Sequence, residues 1–193
     1  MKSDQERWNK KYQGEELASN KNPNAFLKKH LSSLEKGVAL DLASGEGRNA
    51  VFLAKNGWKV DAVDISPVGL KKARKLAKVA GVTINFLQAD LDSHPIAKGK
   101  YDLISVFYFW DTRLVPRLKR GLKKGGRVLF ETYTLETLLL GLEGPREAKY
   151  LLKSNELLNL FRDFRVLFYR EGVFREGGKR RAIASLIAQK TKG

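Results

Sequence analysis

The stretch Val38–Ser66, VALDLASGEGRNAVFLAKNGWKVDAVDIS, decides the fold. An apolar run with β character (38–43) meets the bend SGEG, then a short helix to Gly57, then a second apolar run, KVDAVDI (59–65). A strand, glycines and a helix N-terminus in that order let the chain turn sharply and offer bare backbone N–H groups to a ligand. Asp64 near the end of the second run stands roughly 20 residues past the bend, placed to accept from both ribose hydroxyls of an adenosine. Gly45, Gly47 and Ala50 also fit the loose dinucleotide pattern G-x-G-x-x-A, so the bend alone leaves the cofactor open.

Outward from this stretch the pattern keeps alternating. Ser66 and Pro67 predict a helix start, and Gly81 its stop. TINFLQAD (83–90) reads as a third strand, and YDLISVFYF (101–109) as a fourth, apolar on both faces like a central parallel strand. The helix RLVPRLKRGL (113–122) carries a proline expected near its first turn. GGRVLFETY (125–133) is a fifth strand, and its approach LKKGGRVLF (122–130) is expected to be a turn leading into an edge of the sheet. A Leu-rich helical stretch and a loop around GLEGPRE lead to Ser154, read as the cap of the helix NELLNLFRD. FRVLFYREGVF and KRRAIASLIAQK, joined by REGG, predict a hairpin.

The expectation is an α/β fold: a doubly wound, mostly parallel seven-stranded sheet with an antiparallel C-terminal hairpin. One domain is expected over 1–193: a helical N-terminal segment (1–36), a cofactor-binding core (37–133), and a substrate-side insertion with the hairpin (134–193).

Composition narrows the function. The 193 residues contain no Cys, one Met and two isolated histidines, His30 and His94, which excludes disulfides and a cysteine nucleophile and predicts no metal site. The opening MKSDQERWNKKYQGEE has no apolar stretch after its charges, and LISVFYFW is too short to cross a bilayer, so a cytoplasmic protein without membrane contact is expected. Lys and Arg number 37 against 21 Asp and Glu, a net charge of +16 that attracts anions. The cations fall in scattered clusters (Lys71–Lys78, Arg117–Lys124, Lys179–Arg181) with no RNA-binding signature. Nucleic acid is therefore a possible partner but not the favoured one; monomer and homodimer both stay open.

Further acids separate the cofactor classes. Asp41 lies in the first strand before the glycines, where a pyrophosphate has no use for a carboxylate but a cofactor with a free ammonium does. It could instead bond the N–H groups of the bend. Asp90 ends the third strand, where it could accept from an adenine amino group. Arg48 opens a helix against the dipole, which suggests a carboxylate or anionic substrate nearby.

With these residues the sequence resembles the class I S-adenosylmethionine-dependent methyltransferases over nearly its whole length. LDLASGEG resembles their first motif, AVDIS the second, LQADL the third and YDLISVFYF the fourth. Ala43 and Ser44 depart from the usual Gly and Cys. RWNKKYQ (7–13), GEGRNAVFLAKNGW and the hairpin are most similar to the tellurite-resistance and thiopurine-type enzymes. The resemblance implies a Rossmann-like methyltransferase fold and S-adenosylmethionine as cofactor, with S-adenosylhomocysteine as product. It implies cofactor contacts at Asp41, Ala43, Ser44, Gly45, Gly47, Arg48, Asn49, Asp64, Ile65, Ala89, Asp90, Leu91 and Phe107, with Trp8 and Tyr12 folded over the ligand. The acceptor implied is a small anion or soft nucleophile: a chalcogen oxyanion, a thiol or a heterocycle.

In-line methyl transfer needs alignment above all, and strand ends at the open-sheet crevice supply it. Phe107, Tyr108 and Tyr133, with Tyr150 beyond, are expected there, and Arg170 and Arg175 could fix an anionic acceptor. No residue stands out as a dedicated base. The alternatives are an RNA or protein methyltransferase, a cofactor-binding regulatory protein without catalysis and, more distantly, a dehydrogenase.

Overall fold

The computed structural model describes residues 2–14, 22–176 and 178–191. Seven strands form one sheet in the order β3-β2-β1-β4-β5-β7-β6: β1 Val38–Leu42, β2 Lys59–Asp64, β3 Asn85–Gln88, β4 Tyr101–Phe107, β5 Leu122–Tyr133, β6 Arg165–Glu176 and β7 Lys179–Gln189. The first five pair in parallel, and β7 enters antiparallel between β5 and β6. This is the expected doubly wound sheet with its hairpin. The expected edge position of the fifth strand is wrong, because β7 pairs with β5 from Arg127 to Tyr133 and makes it internal.

Helices α1 (Lys2–Tyr12), α2 (Ala25–His30), α3 (Arg48–Lys55) and α4 (Pro67–Val79) accompany the first half. In the second half lie α5 (Val115–Gly121), α6 (Glu136–Leu139) and α7 (Glu156–Leu160). Ser66 accepts from the Gly69 N–H with Pro67 in the first turn, so α4 starts as its sequence predicts. The predicted helix 113–122 begins instead as a 3-10 turn at Thr112–Leu114, nucleated by Asp111 accepting from Arg113 N–H. Ser154 does not cap α7. Asn155 takes that place in a left-handed conformation, φ 57°, and its side chain makes no capping bond.

Two apolar clusters lie on the two sides of the sheet's alternating side chains. One gathers Leu40, Leu42, Ile104, Val106, Val128 and Phe130; the other gathers Ala39, Leu103, Leu129 and Ile187 with Phe26, Leu27 and Leu53. Because β1 and β4 contribute to both, they read as continuous apolar runs. The C-terminal ends of β1, β2, β4 and β5 open together on one rim of the sheet.

Candidate functional site

At that rim, β1 gives way to a tight bend. Ala43 (φ 53°), Gly45 (φ 54°) and Gly47 (φ 80°) all take left-handed backbone before α3 begins at Arg48. A β-carbon on Gly45 would stand 2.7 Å from the Tyr12 hydroxyl, and one on Gly47 2.7 Å from Ala73 Cβ. Close packing as well as φ therefore requires glycine at both. Asp64, at the end of β2, ties the bend down: its Oδ2 accepts from Gly45 N–H at 2.7 Å and its Oδ1 from Ser66 N–H at 2.8 Å. Burial raises its carboxyl above the usual range, while the N–H groups of Ser66 and Gly45 pull the other way. The Ile65 N–H also bonds this carboxylate, which keeps further acceptor capacity for a ligand hydroxyl.

Two adjoining cavities share this rim. The first, about 520 Å³, is walled by Ala43, Ser44, Gly45, Arg48, Asn49, Asp64, Ile65, Asp90, Leu91 and Phe107, with Trp8 and Tyr12 of α1 across it. Of the residues expected at the cofactor, Asp41, Gly47 and Ala89 are not in its wall. Asp41 lies behind the bend, 1% exposed, its Oδ1 accepting from Ser105 Oγ at 2.7 Å. Burial pushes its carboxyl up to about 7, with the Ser105 bond opposing. Ala89 serves β2 instead, donating its N–H to the Asp64 carbonyl. Asp90 lines the cavity while accepting from Asp92 N–H at 2.9 Å.

The residues present fit an adenosine-bearing cofactor. Ser44 Oγ is buried in the cavity wall without a partner among the described residues, and Asp64 presents a carboxylate there. Helix α1 is seated over this end: Gln5 Nε2 donates to Ile65 O at 3.3 Å, and Ser66 Oγ donates to Asn9 Oδ1 at 2.6 Å. Trp8 stacks on Tyr12 with ring centres 5.7 Å apart, and Lys11 Nζ lies 4.5 Å from the Trp8 ring. Burial pushes the Lys11 ammonium down.

The second cavity, about 960 Å³, shares Trp8, Arg48, Tyr108 and Tyr150 with the first. Tyr133 and Arg181 also line it. The hairpin arginines behave differently from expectation. Arg170 turns inward to Glu131 (3.3 Å) and Ser185 (3.1 Å), and Arg175 is exposed outside both cavities. Arg181, on the other strand of the hairpin, reaches the cavity instead, joining Arg7, Arg48 and Arg146 in its wall. Sequence reading also misses Glu46, fully buried and paired with Lys72 at 3.0 Å, and Arg113, which bridges Asp92 and Asp111 at the mouth. Acids and Arg clustered directly after an apolar strand, as in FYFWDTR, are the signal that would find the last group. Among the described residues no cluster of metal-binding side chains occurs, and no helix is long and apolar enough to cross a membrane.

Comparison with known proteins agrees with this geometry. Residues 39–126 match the model of the methyltransferase domain family. Ribosomal protein L11 methyltransferase of Thermus thermophilus is 35% identical over 105 residues, covering 53% of this chain and 40% of that protein. The chain thus spans well under two thirds of that relative. Among solved structures, TehB from Haemophilus influenzae superposes with a TM-score of 0.73 at 20% identity, covering 96% of this chain and 66% of TehB. A SAM-dependent methyltransferase from Methanosarcina mazei gives 0.71 at 17% identity, covering 89% and 100%. These likenesses establish the fold as the Rossmann-like one of class I methyltransferases.

Proposed function

We propose that this chain, whose residues 39–126 match the methyltransferase domain family, is an S-adenosylmethionine-dependent methyltransferase acting on a small anionic or soft-nucleophile acceptor, such as a chalcogen oxyanion or a thiol. The observation that carries this reading is the joining of the two cavities. One offers the bend and the Asp64 carboxylate; the other offers aromatic walls and cations, and they meet at Tyr108 and Arg48. The cofactor, when bound, supplies an electrophilic methyl group on a sulfonium.

The chain's own residues then have three tasks. Asp64 would accept from the ribose hydroxyls, while its bonds to Gly45 and Ser66 fix its orientation. Asp90, Leu91 and Ile65, which line the cavity, would flank the base, and Trp8 and Tyr12 across it would exclude water. Tyr108, Phe109 and Tyr150 line the shared boundary, where a nucleophile is held in line. A soft anion attacks through its own lone pair, which removes the need for a base.

A macromolecular acceptor is the second reading. It is favoured by a stripe of exposed cations on α4, Lys71, Arg74, Lys75 and Lys78, and disfavoured by a rim covered by α1.

Calorimetric titration with S-adenosylmethionine tests the proposal. Wild type is expected to bind, and Asp64→Ala to bind about a hundredfold more weakly, as loss of hydrogen bonds to a charged acceptor implies. Asp64→Asn, whose single carbonyl oxygen can keep only one of the bonds from Gly45 and Ser66 N–H, should fall between. Absence of binding by wild type rejects the reading, whereas binding without methyl transfer to selenite, thiols or RNA points to a regulatory protein.

A further inference from the structure

Glu131, near the C-terminal end of β5, is completely buried, yet it holds four donors from four separate elements. Its Oε1 accepts from Asn24 Nδ2 at 2.8 Å and from the Tyr108 hydroxyl at 3.2 Å. Its Oε2 accepts from Ser185 Oγ at 2.7 Å and from Arg170 Nη2 at 3.3 Å. A buried carboxylate is tolerable only when so paired, and Arg170 supplies the compensating charge. Asn24 is the N-cap of α2, accepting from Phe26 and Leu27 N–H, so the same network anchors that helix.

The direction of each proton follows from the partners. Asn24 Nδ2 and Arg181 Nη1 can only donate, and they reach the Tyr108 oxygen at 3.3 and 3.1 Å. The phenol proton must therefore go to Glu131. Tyr108 is also held by its backbone, which donates to the Glu131 carbonyl at 2.8 Å and takes a left-handed φ of 57°. Such backbone is costly for a tyrosine and persists only where surroundings impose it. Tyr133 packs against its ring, centres 5.2 Å apart.

We infer that Glu131, Tyr108 and Arg181 form the anion-recognition device of the acceptor cavity: Arg181 meets the acceptor's negative oxygen atoms, and Glu131 is the positioning residue that acts through Tyr108. Both Tyr108 and Arg181 line that cavity, and Tyr108 also borders the cofactor's. An anion seated on Arg181 is thereby placed beside the junction where methyl transfer would occur. Guanidinium suits this task because its planar donors match a carboxylate or oxyanion. The inference deepens the methyltransferase reading and rests on it.

The test titrates selenite and benzoate, one compact anion and one flat, into protein loaded with S-adenosylhomocysteine. At least one is expected to bind wild type, and which one binds tells a compact oxyanion from an aromatic carboxylate. Arg181→Met should weaken that anion at least about tenfold, with Arg181→Lys regaining part of the loss. Glu131→Gln, at a residue that lines neither cavity, should weaken it severalfold while S-adenosylhomocysteine affinity stays unchanged, and Tyr108→Phe should weaken the anion to a similar degree. That split is what a merely structural role would not produce. If Glu131→Gln fails to fold, Tyr108→Phe carries the positioning test alone. Anion affinity unmoved by Arg181→Met, or by the positioning variants, overturns the inference, as does binding of neither anion. If wild type does not bind S-adenosylhomocysteine, the cofactor reading has failed separately; the same titrations on unloaded protein then decide the anion site.

Discussion

Asp41 illustrates how one side chain can answer two demands. It is buried behind the glycine bend, bonded to Ser105, with its other oxygen lacking a partner among the described residues. Its carboxyl, pushed up to about 7 by burial, holds its proton in the folded state well above the pH at which an unfolded carboxyl releases it. The folded state therefore binds more protons between these limits, and stability must fall as pH rises from about 4 towards 7. Asp41→Asn should abolish that loss, by up to about 4 kcal/mol at neutral pH. Urea melts of both proteins at pH 5 and pH 8 check it; a difference between them that does not grow with pH sinks the assignment. The sequence made Asp41 and Asp64 conspicuous because acids interrupt apolar strands. Glu131 interrupts one equally, in LFETY, but lies outside any recognised bend and passes unnoticed. Arg170 and Arg175 drew attention in place of Arg181 because side-chain direction in a hairpin depends on its register. Arg181 pairs with Phe174, a match that only the folded strands display.

At the scale of elements, α1 is the cover of the first cavity. Its seat rests on polar contacts of Gln5 and Asn9 with Ile65 and Ser66, and on Tyr12 lying over Gly45 and Gly69. Across the mouth, Arg7 donates to the Tyr150 hydroxyl at 3.3 Å and lies 5.2 Å from that ring's centre. Trp8→Ala removes an aromatic wall and its stacking on Tyr12 but leaves the Gln5 and Asn9 contacts in place. Cofactor affinity should drop about five- to tenfold, the share of a partly buried ring, while the melting temperature moves by little. Equal affinity for the variant would show that α1 packs on the rim without covering the ligand. Helix starts were legible where chemistry is local, as at Ser66-Pro67. They were not legible at Ser154, where the turn's left-handed backbone shifts the start to Asn155. The split of 113–122 likewise comes from Asp111, which binds the Arg113 backbone before the helix can form.

For the molecule as a whole, the net charge of +16 is a surface property more than a site. Several cations are spent locally, as Lys119 on Asp163, Lys123 on Asp102 and Lys100 on Asp61. The stripe on α4 should give weak binding of single-stranded RNA. If four phosphates are engaged, affinity falls roughly fiftyfold between 50 and 200 mM salt. Filter binding at both concentrations checks it, and tight retention at the higher one would revive the macromolecular acceptor. The parallel order of the first five strands could be read from the alternation of apolar runs and helices. The insertion of β7 between β5 and β6 could not, since nothing local says on which side a hairpin docks.

That insertion makes chain order matter. By Tyr133 a nascent chain has every strand of the parallel half, yet Glu131 then stands without Ser185 and Arg170, both still to be synthesised. Most walls of the first cavity precede that point in the chain, whereas Arg181 of the second waits for the ribosome to deliver β7. Until it does, the β5 carboxylate has Asn24 and Tyr108 as donors but no compensating charge, which disfavours closing the core around it.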